Sequence, residues 1–222
     1  MRTRAGSGQD LDLLEELLGE SARASGQVLE PNARTTLAHY ANRVAHWNRT
    51  ANLTGARDAE DFCRRFLGDV FAVAPHIEGD SLVDVGSGNG LPGLVLAVLK
   101  PESRVWLVEP RARRARFLRQ MQIELGLDQV EVVEARVEDW RAGIFPAAIV
   151  AQAVGDLDYL LQVTRHLHGP ACRLYALKGH PPSTELAALG ARAAACTTTR
   201  LEVAGWQERH LVTIECDRLD AI

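Results

Sequence analysis

The feature of the sequence with the clearest chemical potential is a glycine-rich segment at residues 84–93, Asp-Val-Gly-Ser-Gly-Asn-Gly-Leu-Pro-Gly. Glycine has no Cβ, so a segment rich in it can turn sharply and let a ligand approach the backbone. The segment ends a short apolar run at 82–86 and precedes a helix-like run at 94–100. A glycine loop between a strand and a helix is typical of sites for nucleoside cofactors.

Two cofactors fit this loop. Residues 88–93 satisfy the GxGxxG pattern, in which a dinucleotide pyrophosphate binds at a helix N-terminus. Residues 84–90 also fit a loop for S-adenosylmethionine (AdoMet), a cofactor without phosphate. Asp84 suits the amino group and sulfonium of a cationic ligand, and Pro92 lacks an N–H that a phosphate would use. The pattern favours AdoMet over NAD, with binding residues Asp84, Gly86, Ser87, Gly88 and Gly90.

Acidic residues are also expected at the ends of the next two strands. Glu109 closes a predicted strand at 105–110, where a carboxylate can accept both hydroxyls of an adenosine ribose. The third strand is expected to end at Val137 and Glu138, which could line the adenine. The carboxyl ends of neighbouring parallel strands open on one crevice, so these residues converge there.

The elements that must position this crevice alternate between strand and helix after residue 80. Strand-like runs lie at 82–86, 105–110, within 130–139, and at 147–153 and 173–179; helix-like runs lie at 94–100, 111–125 and 157–167. This alternation predicts a Rossmann-like α/β fold with a mostly parallel sheet covered on both faces. Two later runs, 200–206 and 209–217, predict an antiparallel C-terminal edge.

Residues 1–79 are expected to form three helices. In the first, leucines recur at helical spacing over 11–18, and the second has Pro31 in or near its first turn. Asp58 can cap the third helix, which is expected to end before Pro75. We therefore predict a helical N-terminal segment, 1–79, packing on a core domain, 80–222.

Composition restricts the class of protein. The 222 residues are 46% hydrophobic and 24% charged, as in a folded chain. The longest apolar runs, such as 91–99, are shorter than the roughly 18–20 residues of a membrane-spanning helix, and no signal-peptide core is visible. Four cysteines lie far apart without a CxxC pair, so we expect neither a metal site nor disulfides. These features predict a cytoplasmic protein, without a membrane partner, that acts as a monomer.

Positive charge is concentrated locally although the net charge is −4. Five arginines fall within nine residues at 111–119. They form either a solvated helix face or a surface for RNA phosphates. Lys178, after the fifth strand, has the same two interpretations.

The fourth strand indicates the kind of acceptor. Residues 147–153 lack the Pro-Pro-containing tetrapeptide that grips an exocyclic amine, and no cysteine has a basic neighbour suited to attack a pyrimidine. An acceptor with its own lone pair, such as a purine ring nitrogen, needs neither device. No general base is therefore expected.

Nearly from end to end, the chain resembles the RsmG (GidB) family of bacterial methyltransferases, which modify N7 of a guanine in 16S rRNA. The resemblance rests on residues 52–54 with 57–58, 65–69, 84–93, 113–118, 176–179 and 208–212. It implies AdoMet as cofactor and the small ribosomal subunit as partner. It also implies AdoMet contacts at Gly86, Leu91, Val137 and Glu138, and at Glu109 for the ribose. The substrate face is expected to include Arg57, Arg64, Arg65, Arg113, Arg116, Lys178 and Arg209.

The chain departs from the family pattern at two positions near the expected site. Gln152 stands where the family has arginine, in the crevice for cofactor and substrate, and Phe66 stands where histidine is common. Glutamine keeps hydrogen-bonding capacity but loses a fixed charge. Two alternative functions stay open: an NAD(P)-linked oxidoreductase, which the GxGxxG pattern leaves possible, and a ribosome- or nucleotide-binding module of the same fold with weakened catalysis, to which Gln152 lends weight.

Overall fold

The computed structural model describes residues 6–203 and 208–221, which form one sheet with helices on both faces. The strands are β1 (Ser81–Val85), β2 (Arg104–Val108), β3 (Val130–Val133), β4 (Ala148–Gln152), β5 (Arg173–Lys178), β6 (Cys196–Leu201) and β7 (Arg209–Glu215). The helices are α1 (Gly6–Ala24), α2 (Pro31–Ala51), α3 (Ala59–Phe62), α4 (Gly68–Val73), α5 (Gly93–Leu99), α6 (Ala112–Glu124), α7 (Leu157–Thr164) and α8 (Ser183–Ala188). None of the helices in these ranges is long and apolar enough to cross a membrane.

The strand order is β3-β2-β1-β4-β5-β7-β6. The first five strands are parallel, and β7 pairs antiparallel with both β5 and β6. The prediction of a mostly parallel sheet with an antiparallel C-terminal edge is confirmed. Because β1 has β2 on one side and β4 on the other, the chain reverses direction across the sheet there, and a crevice opens at the carboxyl ends of the two strands.

Two hydrophobic cores cover the faces of the sheet. Leu82 on β1 belongs to the core that also contains the N-terminal helices, α5 and α6, whereas Val83 faces the core built with α7. This alternation follows from the two-residue period of a strand. Leu18 of α1 and Leu37 of α2 are completely buried in the first core, so the N-terminal helices share their packing with the sheet.

Two expected strands were given the wrong boundaries. The third strand ends at Val133, not at Val137–Glu138, which lie in a 3-10 turn (Val137–Asp139). Among the described strands its one neighbour is β2, which pairs up to Val108 opposite Val133, and Pro110 beyond has no N–H to extend the ladder.

The sixth strand begins at Cys196 and ends at Leu201 instead of covering 200–206; residues 204–206 lie outside the described residues. Most of its residues are exposed or half-exposed, as expected for an edge strand, so it lacks an apolar pattern. The helix α8 was not predicted at all.

The third predicted helix is interrupted by one π turn, Cys63–Leu67, between α3 and α4. Asp58 caps its start as expected, accepting a hydrogen bond from the Asp61 N–H at 2.8 Å. Single π turns are frequent at functional sites because the extra residue re-aims the side chains beside it. Here the turn carries Arg64 and Arg65 and leads directly to Asp69.

The shared core makes a prediction about folding. Leu37→Ala should lower the free energy of unfolding by about 2–5 kcal/mol, because it leaves a cavity at a completely buried site. Since α2 and the sheet share one core, we expect a single denaturant transition that shifts as a whole.

Val28→Ala is the matched control, because Val28 is 85% exposed and its truncation should change little. A separate early transition for the helical segment in the Leu37→Ala protein would contradict the shared core.

Candidate active site

The glycine loop that follows β1 has a backbone that few other residues could adopt. Gly86, Gly88 and Gly90 have positive φ angles of 69°, 55° and 97°. A Cβ at Gly90 would also overlap the Leu94 side chain, and a Cβ at Gly86 would lie 2.9 Å from Val154 Cγ2. The sequence therefore needs glycine here for conformation and for space.

Glu109 follows β2 directly and binds the loop from the side. Its Oε2 accepts a hydrogen bond from the Gly88 N–H at 2.9 Å, and its Oε1 accepts one from the Arg111 N–H at 2.8 Å. The carboxylate is almost completely buried. A carboxylate has about four acceptor positions, so each oxygen retains capacity for one more donor.

Asp84 lies in β1, two residues before the first glycine of the loop, and its side chain reaches the start of α5. Its carboxylate is completely buried, and its Oδ2 accepts a hydrogen bond from the Gly93 N–H at 3.1 Å. Burial raises the pKa of Asp84 to about 8, so the group is largely neutral at pH 7. The expected contact of Asp84 with a cationic ligand stays a prediction. In the structure, Asp84 holds the start of α5 through its hydrogen bond with Gly93.

The N-terminal helices reach the same loop through Tyr40. The Tyr40 hydroxyl donates a 2.6 Å hydrogen bond to the Asn89 carbonyl, and its ring is completely buried. Burial, and secondarily the charge of Asp84, raise the pKa of Tyr40 well above its usual value. This bond was not predicted from the sequence, because nothing in helical spacing distinguishes Tyr40 from the other residues of α2.

The remaining expected cofactor residues differ in burial and in hydrogen bonding. Ser87 is buried, and its hydroxyl donates to the Asp84 carbonyl at 2.9 Å. Leu91 and Val137 are buried, whereas Glu138 is half-exposed and lies 3.8 Å from Arg136. Nothing in the structure tests the adenine contacts at Val137 and Glu138, which remain a prediction.

A second cavity, which we call the strand-end cleft, opens beside the loop. Its volume is about 250 Å³, and it is lined by Asp69, Gln152, Ala153, Gly155, Leu177, Lys178, Gly179 and Arg209. These residues come from α4, from the carboxyl ends of β4 and β5, and from the amino end of the antiparallel β7. Gln152, Lys178 and Arg209 are therefore brought together, as the convergence of strand ends predicts.

The charges of the cleft are paired. Arg209 Nε donates to both carboxylate oxygens of Asp69 at 3.1 Å, and Lys178 Nζ donates to Glu185 at 2.7 Å and to the Gly155 carbonyl at 2.8 Å. Burial raises the pKa of the Asp69 carboxyl, and the charge and hydrogen bond of Arg209 oppose that shift. Asp69 lies in a segment that carried the family resemblance, but it was not among the predicted site residues.

The expected RNA-facing arginines divide into two groups. Arg57 and Arg65 both pair with the buried Asp61, at 3.3 and 3.2 Å. The backbone N–H of Arg57 is the main cause of the lowered pKa of Asp61. Arg64, Arg113 and Arg116 are exposed.

One of these arginines, Arg113, lies near the carboxyl edge of the sheet. α6 begins just after the carboxyl end of β2, and Arg113 donates to the carbonyl of Thr50, in the last turn of α2. Both lie at the same end of the parallel strands as the glycine loop.

The arrangement fits a nucleoside cofactor. The loop carries no side chain at Gly86, Gly88 and Gly90, Glu109 retains acceptor capacity beside it, and Asp84 Oδ1 is a buried oxygen without a hydrogen-bond partner. In the ranges 6–203 and 208–221, no group of three or more His, Cys, Asp or Glu side chains is arranged to hold a metal ion.

Comparison with known proteins places these features in a family. The family described as rRNA small subunit methyltransferase G (GidB) matches residues 33–212. A ribosomal RNA small subunit methyltransferase G from Escherichia fergusonii is 37% identical over 208 residues, covering 91% of this chain and 98% of its own length. The protein of the same name from Shigella flexneri is 35% identical over 196 residues, covering 88% and 95%.

Solved structures support the fold. The tRNA methyltransferase TrmI from Aquifex aeolicus has a TM-score of 0.51 and 14% identity, covering 66% of this chain and 68% of its own. A predicted O-methyltransferase from Agrobacterium tumefaciens also has a TM-score of 0.51, with 19% identity and coverage of 64% and 77%. The prediction of a Rossmann-like methyltransferase sheet is confirmed.

The buried Asp84 generates a prediction about pH. Its pKa is about 8 in the folded chain and 3.8 without burial, so between these values the folded state binds more protons than the unfolded state. This contribution to stability is complete at low pH and is lost as pH rises towards about 8.

Asparagine does not titrate, so the free energy of unfolding of Asp84→Asn relative to the unsubstituted protein should increase by up to roughly 1 kcal/mol per pH unit over this range. Urea unfolding of both proteins across the range measures it. Curves that stay parallel would contradict a neutral Asp84.

Proposed function

Because the chain belongs to the family of rRNA small subunit methyltransferase G, we propose that it transfers the methyl group of AdoMet to N7 of a guanine in 16S rRNA of the small ribosomal subunit. The chain is an AdoMet-dependent rRNA methyltransferase; the guanine, its N7 atom and the 16S molecule are the finer part of the proposal. The observation that carries the proposal is the glycine loop, held by Glu109 and Asp84, beside the strand-end cleft.

The cofactor side of the proposed site is the open face of the loop. We propose that Gly86 and Gly88 let the backbone approach AdoMet, that Glu109 accepts its ribose hydroxyls, and that Leu91 and Val137 provide apolar surface for it. When bound, AdoMet supplies an electrophilic methyl group on a sulfonium. Ser87 and Asp84 hold the loop in shape from below.

The proposed reaction requires the protein mainly to position the two reactants. Guanine N7 is unprotonated at neutral pH and already nucleophilic, so no residue has to remove a proton. Alignment of two reactants can lower the activation free energy by about 7–11 kcal/mol. The proposed role of the loop and the cleft is therefore to fix two ligands in line and to exclude water between them.

Gln152 fits this interpretation. Methylation at N7 leaves a positive charge on the purine, and Lys178 and Arg209 already line the same cleft. A neutral side chain at position 152 keeps hydrogen-bonding capacity without a third cation beside the charge that develops. We propose that Gln152 is compatible with an active enzyme.

The remaining proposals follow from the reaction. Transfer to N7 requires no Lewis acid, which favours a reaction without a metal ion. One chain contributes both the loop and the cleft, which favours a monomer, and a small-subunit substrate favours the cytoplasm. The family gives no support to an NAD(P)-linked oxidoreductase, so the alternative to be tested is a binding module with weakened catalysis.

The decisive experiment is transfer of labelled methyl from AdoMet to small subunits that lack the modification, followed by mapping of the labelled base. We expect label at N7 of a single guanine. Gln152→Arg should change the rate no more than a few-fold.

AdoMet binding without transfer would favour the binding module, and label on another atom would refute the proposed acceptor. A large rise in rate with Gln152→Arg would contradict the proposed role of Gln152.

The exposed arginines make a second prediction. Arg64 and Arg116 are expected to contact RNA phosphates, so the double variant Arg64→Gln, Arg116→Gln should bind small subunits more weakly. Each lost contact should lower the slope of log affinity against log salt by about 0.7–0.9. Affinity for AdoMet should not change, because neither residue touches the loop.

Arg104→Gln is the control, since Arg104 is also exposed but lies at the amino end of β2, on the opposite edge of the sheet. An equal effect of Arg104→Gln would show that the loss reflects net charge and not a defined surface.

A further inference from the structure

The strand-end cleft has the size of a site for one base. Its volume of about 250 Å³ is below the roughly 300–1,000 Å³ of pockets that hold drug-sized ligands. A whole nucleoside cofactor needs more space, whereas a single purine ring is much smaller. An enzyme that modifies a base must bring that base out of its stack and into such a pocket.

The position of the cleft relative to the glycine loop suits an acceptor base. Val154 packs against Gly86, since a Cβ on Gly86 would lie 2.9 Å from Val154 Cγ2. The chain neighbours of Val154 on both sides, Ala153 and Gly155, line the cleft. A ligand in the cleft is therefore separated from the loop by the width of one side chain.

Asp69 is the anionic side chain that lines the cleft. Only 4% of its side chain is exposed, and Arg209, whose side chain is 15% exposed, holds it through two 3.1 Å hydrogen bonds. One Nε–H shared between two oxygens leaves further lone pairs on both. Asp69 is thus a fixed, acceptor-only group beside donors from Lys178 and Arg209.

Guanine complements this arrangement better than the other bases. Its N1–H and N2 amino group are two adjacent donors, which a carboxylate can accept together, and its O6 is an acceptor beside them. Adenine presents an unprotonated N1 there, and its lone pair would face the carboxylate. N7 lies on a different edge of the ring, so recognition of N1 and N2 leaves the nucleophile uncovered.

We propose that Asp69 is a specificity-determining residue, which accepts hydrogen bonds from N1–H and the N2 amino group of the target guanine, and that Arg209 is a positioning residue that orients it. This inference rests on the proposed function, because it assumes that guanine is the acceptor. It adds the group that selects guanine, which neither the glycine loop nor the family name provides.

The test replaces the target guanine by inosine, which keeps N7, N1–H and O6 but lacks the N2 amino group. Small subunits are reconstituted with 16S rRNA ligated from a synthetic segment that carries either base. For the unsubstituted enzyme, loss of one hydrogen bond to a charged group should lower kcat/KM by roughly ten- to hundredfold on inosine. Asp69→Asn should lower kcat/KM on guanine and reduce the guanine-to-inosine ratio to within a few-fold.

Arg209→Gln is the matched control, because it breaks the same ion pair from the other side but leaves the carboxylate in place. We expect it to lower activity while most of the preference for guanine over inosine remains. Urea unfolding of the Arg209→Gln and Asp69→Asn proteins measures how much each loses in free energy of unfolding. This comparison separates the stability lost with the ion pair from the loss of guanine recognition.

Three results would overturn the inference. Equal kcat/KM of the unsubstituted enzyme on both bases would show that the N2 amino group is not read. An unchanged guanine-to-inosine ratio in Asp69→Asn, with lower rates on both, would assign Asp69 a structural role only. Failure of the unsubstituted enzyme to methylate guanine-bearing subunits would refute the proposed function, and the inference with it.

Discussion

The structure of the site depends on one constraint: a loop that carries no side chain at Gly86, Gly88 and Gly90 has to be held largely by neighbouring groups. Two buried carboxylates do this, Asp84 through the Gly93 N–H and Glu109 through the Gly88 N–H. Both come from the ends of adjacent parallel strands, so the register of β1 with β2 sets where the loop lies. Hydrogen bonds to backbone N–H groups also satisfy donors that a tight turn would otherwise leave unpaired. Charge is costly in such a buried position, and for Asp84 that cost appears as a raised pKa.

The N-terminal helices belong to this support. Tyr40 of α2 reaches the Asn89 carbonyl, and Trp47 packs edge-on against Phe117 of α6 with ring centroids 5.5 Å apart. The helical segment therefore stabilises the loop from one face of the sheet and adjoins the arginine-rich helix that follows β2. A change in how α2 packs would move the loop directly. The continuous core of the N-terminal helices and one face of the sheet provides this coupling.

The features that were predictable from the sequence are those that local chemistry encodes. The glycine loop, Glu109 at a strand end, the parallel strands and the Asp58 cap each depend on a few neighbouring residues. The end of β3, the edge strand β6 and the π turn depend instead on pairing partners or on insertions that leave no periodic signal. Tyr40 and Asp69 were missed for a related reason: their partners, Asn89 and Arg209, are distant in sequence, and only the fold brings them together.

The distribution of charge suggests how an acidic protein can act on RNA. In the strand-end cleft, Lys178 is balanced by Glu185 and Arg209 by Asp69, so these groups offer directed hydrogen bonds with little surplus charge. Exposed arginines that do not line the cleft, such as Arg64 and Arg116, are available for the long-range attraction of phosphates. In the proposed mode of binding, capture and recognition are carried by different residues, and the net charge of −4 does not oppose either. A cleft with balanced charge also avoids adding repulsion when the bound purine becomes positive, which an unpaired cation beside it would do.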